Sequence, residues 1–190
     1  MNYIGFDVST NSTGICFIRP EKKPVLYSYT TYIKEDFDFE NTDFIVKIRP
    51  QPKTTSQDFK RILNVRDNIF RDCREWFEET SGCYFENYAM HGVGRITMLV
   101  ETTAIIKAKL YEIGKSVDGL FAPMTIKKNI WGKGNLGKQE IYDVARNGVM
   151  SEVLEDLETH GFGFKKSSCW VSDIIDAYGV AESGRRSENE

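Results

Sequence analysis

The sequence predicts an α/β fold: a five-stranded mixed sheet, three antiparallel strands followed by parallel ones, flanked by helices. Three observations point there. Three β-type runs open the chain at roughly 2–8, 13–19 and 25–32, two long helical patterns then bracket a single short apolar strand, and an apolar helical run closes the chain. Strands joined by short turns pair antiparallel, whereas strands separated by a helix pair parallel, so the order βββαβαβα divides the sheet into two kinds of pairing.

Asn2-Tyr3-Ile4-Gly5-Phe6-Asp7 reads as the first strand, and Val8 to Gly14 as a turn of small polar residues and glycine, which bond their own backbone or accept positive φ. Ile15 to Ile18 runs back as the second strand, and Val25 to Tyr32 is a third, rich in tyrosine and β-branched residues. The stretch 34–53 is acidic, contains the run Phe44–Ile48 and ends in Pro50-Gln51-Pro52, so it is expected to be an insertion with one small extra strand. One long helix is expected over about 56–79, with Phe59, Ile62, Leu63, Ile69, Phe70, Cys73, Trp76 and Phe77 at helical spacing on one face and Thr54 with Gln57 as a capping box. Cys83 to Glu86 makes the fourth strand, a helix over about 95–113 stops at Gly114, and Gly119 to Ala122 makes the fifth strand before Pro123 opens a helix. Helices over 139–149 and about 151–160 follow the glycine-rich segment 131–138, and a Gly-Phe-Gly loop precedes the final helix. The first, fourth and fifth strands are expected to lie parallel and central.

At 190 residues, with 41% of them hydrophobic and 13% aromatic, the chain is long enough to bury a core and is expected to form one domain. It has no apolar run of membrane-spanning length and no signal-peptide pattern, so a cytoplasmic protein without membrane contact is expected. Cysteines 16, 73, 83 and 169 form no CxxC pair and only His91 and His160 accompany them, which points to reduced packing residues rather than a zinc or redox site. The formal charge is −3, unevenly spread. Lysines 107, 109, 115, 127, 128, 133 and 138 face only Glu112 and Asp118 in the same stretch, while acids gather at 35–43 and 152–158.

Four carboxylates carry the chemistry. Asp7 stands near the end of the first strand, Glu86 ends the fourth, and Asp173 and Asp176 stand at i and i+3 in Val171-Ser172-Asp173-Ile174-Ile175-Asp176-Ala177, on one face of a helix. Carboxylates gathered in one place repel one another, and a hard divalent cation is the usual remedy, Mg²⁺ taking a few carboxylates plus water and phosphate oxygens. Two such ions suit in-line phosphodiester hydrolysis, and the flanking lysine stretch suits a phosphodiester substrate. Taken singly, Asp173 also fits a helix N-terminus and Glu86 an ordinary strand-end charge. Asp176, among Ile174, Ile175, Ala177 and Val180, needs a partner.

The ordered set Ile4-Gly5-Phe6-Asp7-Val8-Ser9, Phe85-Glu86-Asn87-Tyr88, Gly94-Arg95, Pro123 to Lys128, Gly132 to Lys138 and Asp173 to Ala177 resembles the RuvC-like Holliday junction resolvases, especially those of bacteriophages, over most of the chain. That resemblance implies a ribonuclease H-like fold and an Mg²⁺-dependent endonuclease acting on branched DNA such as four-way junctions. It implies two ions per site, with Mn²⁺ expected to substitute, held by Asp7, Glu86, Asp173 and Asp176, with Asp7 shared between them. Lys127 and Lys128 match the family's basic pair beside the DNA backbone, Lys133, Lys138 and Arg95 extend that basic set, and Tyr88 is the nearest match to the family's junction-stacking aromatic. The apolar 95–113 helix and the two-fold symmetry of a junction together suggest a homodimer.

Other classes share parts of this pattern. A ribonuclease H or transposase-type nuclease would use the same ions on another substrate, and a protein that binds branched DNA without cutting it would not need the four acids. The run Asp7 to Gly14 also resembles the first phosphate loop of actin-like ATPases and sugar kinases, which need a second lobe that this length scarcely supplies.

Overall fold

The computed structural model describes residues 1–9, 11–51, 58–87, 96–164 and 170–188. Its sheet comprises β1 (Tyr3–Val8), β2 (Ser12–Ile18), β3 (Val25–Thr30), β4 (Phe37–Glu40), β5 (Ile45–Pro50), β6 (Gly82–Glu86) and β7 (Gly119–Phe121). The helices are α1 (Asp58–Asp72), α2 (Arg74–Glu78), α3 (Ile96–Glu112), α4 (Pro123–Trp131), α5 (Lys138–Arg146), α6 (Ser151–Thr159) and α7 (Trp170–Ser187). Across the sheet the strands run β4-β5-β3-β2-β1-β6-β7. β1, β2 and β3 pair antiparallel, and β1, β6 and β7 parallel, as the connection lengths require.

Period-two alternation assigns the faces. Ile4, Phe6, Ile15, Phe17, Val25 and Tyr27 pack with Ile69, Cys73, Phe77, Ile106 and Leu110 of the α1–α3 layer. On the opposite face Tyr3, Cys16, Leu26 and Tyr84 pack with Ile174, Ala177, Val180 and Ala181 of α7 and with the layer α4–α6. Asp7 and Glu86 are in step with Tyr3 and Tyr84 and so belong to the α7 face.

Helix α7 lies directly on β1 and β2 because glycine occupies the contact positions. A Cβ at position 5 would fall 2.9 Å from the Ala181 Cα, and one at position 14 would fall 2.6 Å from the Asp173 carbonyl carbon, closer than real Cβ atoms approach. From Trp170 to Ala181 every residue of α7 except the partly buried Asp176 is buried, as befits a helix covered on nearly all sides.

The structure corrects four expectations. The sheet has seven strands rather than five, because segment 34–53 folds as β4 and β5, with β5 parallel to β3 and β4 antiparallel to β5. Phe37 and Phe39 turn inward onto His160 and Phe162, while Asp38 pairs with Arg49 and Glu40 with Lys23 at 2.7 Å, so much of the acidic stretch is neutralised locally. β7 is an edge strand rather than a central one, since nothing pairs on its outer side. The single helix expected over 56–79 breaks at Cys73, whose φ of −107° and ψ of 12° redirect the chain so that Trp76 donates to the Tyr27 hydroxyl at 3.3 Å. Val8 to Gly14 is not all turn, as Ser12 already belongs to β2. The capping box at Thr54 and Gln57, and Cys169, lie outside the described residues; Cys16, Cys73 and Cys83 are free and buried, as expected. No helix among the described residues is long and apolar enough to cross a membrane.

The α7 contact yields a test. Gly14→Ala is expected to destabilise the protein by about 3 kcal/mol in urea unfolding, since the colliding atoms are backbone and cannot turn aside. Gly163→Ala, whose new Cβ would meet nothing closer than 3.6 Å, is expected to change stability by no more than about 0.5 kcal/mol.

Candidate active site

The four acids arrive from three elements. Asp7 is paired across β1–β2 with Gly14, and Glu86 follows Phe85, the last β6 residue in register with β1, so the two carboxylates emerge from adjacent parallel strands on one face. Above them, the absence of a side chain at Gly14 lets the first turn of α7 settle beside Asp7 with Asp173 and, one turn on, Asp176. Asp173 is 4% exposed. Asp7, Glu86 and Asp176 are partly buried.

The electrostatics record the convergence. Burial raises the Asp7 carboxyl well above the usual range, and Asp173, Asp176 and Glu86 add to that rise, with Lys138 opposing it. Glu86 is pushed up to about 7, first by burial and then by Asp176, against Lys127 and Lys138. Asp173 also rises to about 7 through burial, moderated by a hydrogen bond from Ser12 and by Lys138. Asp176 rises to about 6 through burial, opposed by Lys138 and Lys127. Each acid thus feels at least one of the others or the same two lysines, as neighbouring groups do.

Asp173 Oδ2 is buried and accepts no hydrogen bond among the described residues. A buried carboxylate oxygen in that condition is costly unless a cation meets it, and an all-oxygen donor set suits a hard divalent ion. As the side chains stand, no three candidate ligands among the described residues are close enough to share one ion. By their chemistry alone, four carboxylates with one buried oxygen left unpartnered suit a divalent ion.

Of the basic residues expected near DNA, two reach the acids. Lys138, the first residue of α5, donates to Ser172 Oγ at 3.2 Å beside Asp173 and acts on all four carboxylates. Lys127 in α4 donates to the Leu136 carbonyl at 2.8 Å and acts on Glu86 and Asp176. Lys128 and Lys133 are exposed and do not figure among the charges acting on the carboxylates. Tyr88 and Arg95 lie outside the described residues. Sequence reasoning missed Ser12, which holds Asp173 while its hydroxyl lies 3.1 Å from that of Ser28. The two-residue spacing Ser12, Gly14, Cys16 was the available signal, since it places the serine on the α7 face.

Raised carboxyl pKa values have a thermodynamic consequence. Between an unfolded value near ~4 and the folded values of about 6 to 7, the folded state holds more protons, so metal-free stability falls as pH rises through that window. Unfolding in EDTA is expected to show lower stability at pH 8 than at pH 5, and Glu86→Gln is expected to recover roughly 1–3 kcal/mol at pH 8 with little change at pH 5. An identical pH slope in both proteins would refute the buried cluster.

No protein-family model matches the chain, and a search of curated proteins finds no match either. Solved structures do match. RuvC of Thermus thermophilus superposes with a TM-score of 0.57 at 14% identity, over 95% of this chain and 91% of that one. The same organism's RuvC in complex with a Holliday junction substrate gives 0.55 at 13% identity, over 95% and 90%. The yeast mitochondrial Holliday junction resolvase Ydc2 gives 0.57 at 13% identity, over 96% and 77%. With its mixed sheet, its α7 laid across β1 and β2 and these superpositions over nearly its whole length, the chain has the RuvC-like form of the ribonuclease H fold.

Proposed function

We propose that the protein is a divalent-metal-dependent endonuclease that cuts branched DNA, four-way junctions above all. What supports this is the mutual electrostatic influence of Asp7, Glu86, Asp173 and Asp176, with Lys138 and Lys127 beside them, on a RuvC-like fold. Asp7, influenced by all three other acids, would be a ligand, and Glu86, Asp173 and Asp176 would complete the set. Magnesium, when bound, supplies Lewis-acid activation of water and neutralises charge at the scissile phosphodiester.

The chain's own residues prepare that chemistry. Ser12 fixes one oxygen of Asp173 and leaves Oδ2 for an ion. Lys138 and Lys127 offset the negative field that would otherwise repel a phosphodiester, and as compact charges they draw backbone phosphates without reading bases. Lys128 and Lys133, exposed on the same α4–α5 side, extend the cationic path outward. A homodimer would present two such sites to the two-fold junction, and exposed Val100, Tyr111 and Ile113 on and beside α3 supply an apolar face for it.

Labelled four-way junction, Y-junction, linear duplex and RNA–DNA hybrid, incubated in Mg²⁺, distinguish the possibilities. Selective cutting of the junction is expected, abolished by EDTA and slowed at least roughly 10²–10³-fold by Asp7→Asn while junction binding survives. Preference for the hybrid would indicate a ribonuclease H instead, and intact substrates throughout would end the nuclease reading. Light scattering is expected to give twice the chain mass, and a monomer mass unchanged by added junction would dismiss the dimer.

A further inference from the structure

A groove of about 600 Å³ opens at the end of the sheet remote from the carboxylates. Its wall residue Ile18 pairs with Tyr3 at the start of β1, about 13 Å along the strand from Asp7. Glu182, also in its wall, lies six residues beyond Asp176, about 9 Å along α7. The two spacings agree that this is a separate place on the surface.

Its lining is cationic in an acidic chain. Lys22, Arg185 and Arg186 line it, with Glu182 as the one acid among the described lining residues. Burial pushes the Glu182 carboxyl up, but Arg185 and Arg186, bonded to it at 2.6 and 3.0 Å, more than offset that and hold it ionised. Arg186 also donates to the Asn129 carbonyl at 2.8 Å, so two guanidinium groups are held in place. With Lys22 beside them, positive charge exceeds negative at this rim.

One further feature defines what fits. Val144 and Val149 in the same wall are 41% and 53% exposed and give it an apolar side. Preorganised arginines favour phosphate oxygens, the apolar side favours a flat uncharged body, and the volume is that of a small-molecule site.

We propose that this groove is a second site for a nucleotide unit, its phosphate at the arginine–lysine rim and its base against Val144 and Val149, supplied either as free nucleotide or as the phosphorylated end of a DNA strand. The proposal does not depend on the nuclease reading. Calorimetric titration of the full chain in EDTA tests it, since without divalent ions a nucleotide has no bridge to the carboxylates. The probes are dAMP, inorganic phosphate and a 5′-phosphorylated single-stranded oligonucleotide. dAMP is expected to bind the parent and Asp7→Asn alike, at least tenfold tighter than phosphate and at least tenfold more weakly to Lys22→Glu and to Val149→Asp. Lys22→Glu carries the test alone if Val149→Asp loses stability. Displacement of bound dAMP by the oligonucleotide assigns the site to a strand end, and failure to displace it assigns the site to free nucleotide; both support a nucleotide site. No dAMP binding at millimolar concentration, equal binding by parent and Lys22→Glu, or phosphate binding as tightly as dAMP overturns it.

Discussion

The backbone of α7 rests on the backbones of β1 and β2 because positions 5 and 14 carry no side chain. That contact determines how near Asp173 and Asp176 come to Asp7, and it sets the helix deep enough for nearly all of its middle to be buried. The apolar residues around the two aspartates, Val171, Ile174, Ile175, Ala177 and Val180, hold it there through dispersion and hydrophobic burial. Burial of the acids works against folding and packing of their neighbours works for it. The sum is favourable because the acids occupy only one end of a long apolar contact.

The carboxylate end is consequently a region of stored electrostatic repulsion. Desolvation is the leading cause of the rise at each of the four acids, ahead of their mutual repulsion, and Lys138 is the counter-charge common to all of them. Such an arrangement is poorly suited to a purely structural role, where a buried acid is normally answered by a direct ion pair. Glu182, at the other end of the same helix, shows the structural solution: a buried carboxylate gripped by two arginines and held below the ordinary range. One helix thus carries a satisfied acid at its C-terminal end and unsatisfied acids at its N-terminal end, and only the latter leaves room for a cation.

The added strands β4 and β5 bear on the sheet edge. β4 presents Asp38 and Glu40 outward and turns Phe37 and Phe39 onto α6 and the loop after it, and an edge strand with outward charges resists pairing with another chain. The strands β4 and β5 therefore close one side of the sheet, and the turn between them meets α6, with Asn41 donating to Asp156 at 3.0 Å.

Local pattern in the chain determined a good deal. Apolar, β-branched and aromatic runs in Tyr3–Val8 and Val25–Thr30, helical spacing around Ile174 and Ile175, and the order of strands and helices were enough to reach the fold class and to single out Asp7, Glu86, Asp173 and Asp176 as candidates, since composition, periodicity and strand-end position depend only on near neighbours. The four-residue β4 escaped notice because Phe-Asp-Phe-Glu is short and sits in an acidic stretch, and the break at Cys73 left the helical spacing intact on both sides. Tertiary structure alone decided that Gly5 and Gly14 are the seats of α7, that Ser12 supports Asp173, and that Lys138 and Lys127, rather than Lys128 and Lys133, confront the acids. Those are distances between segments far apart in sequence, set by how closely two backbones pack, and no local period encodes them.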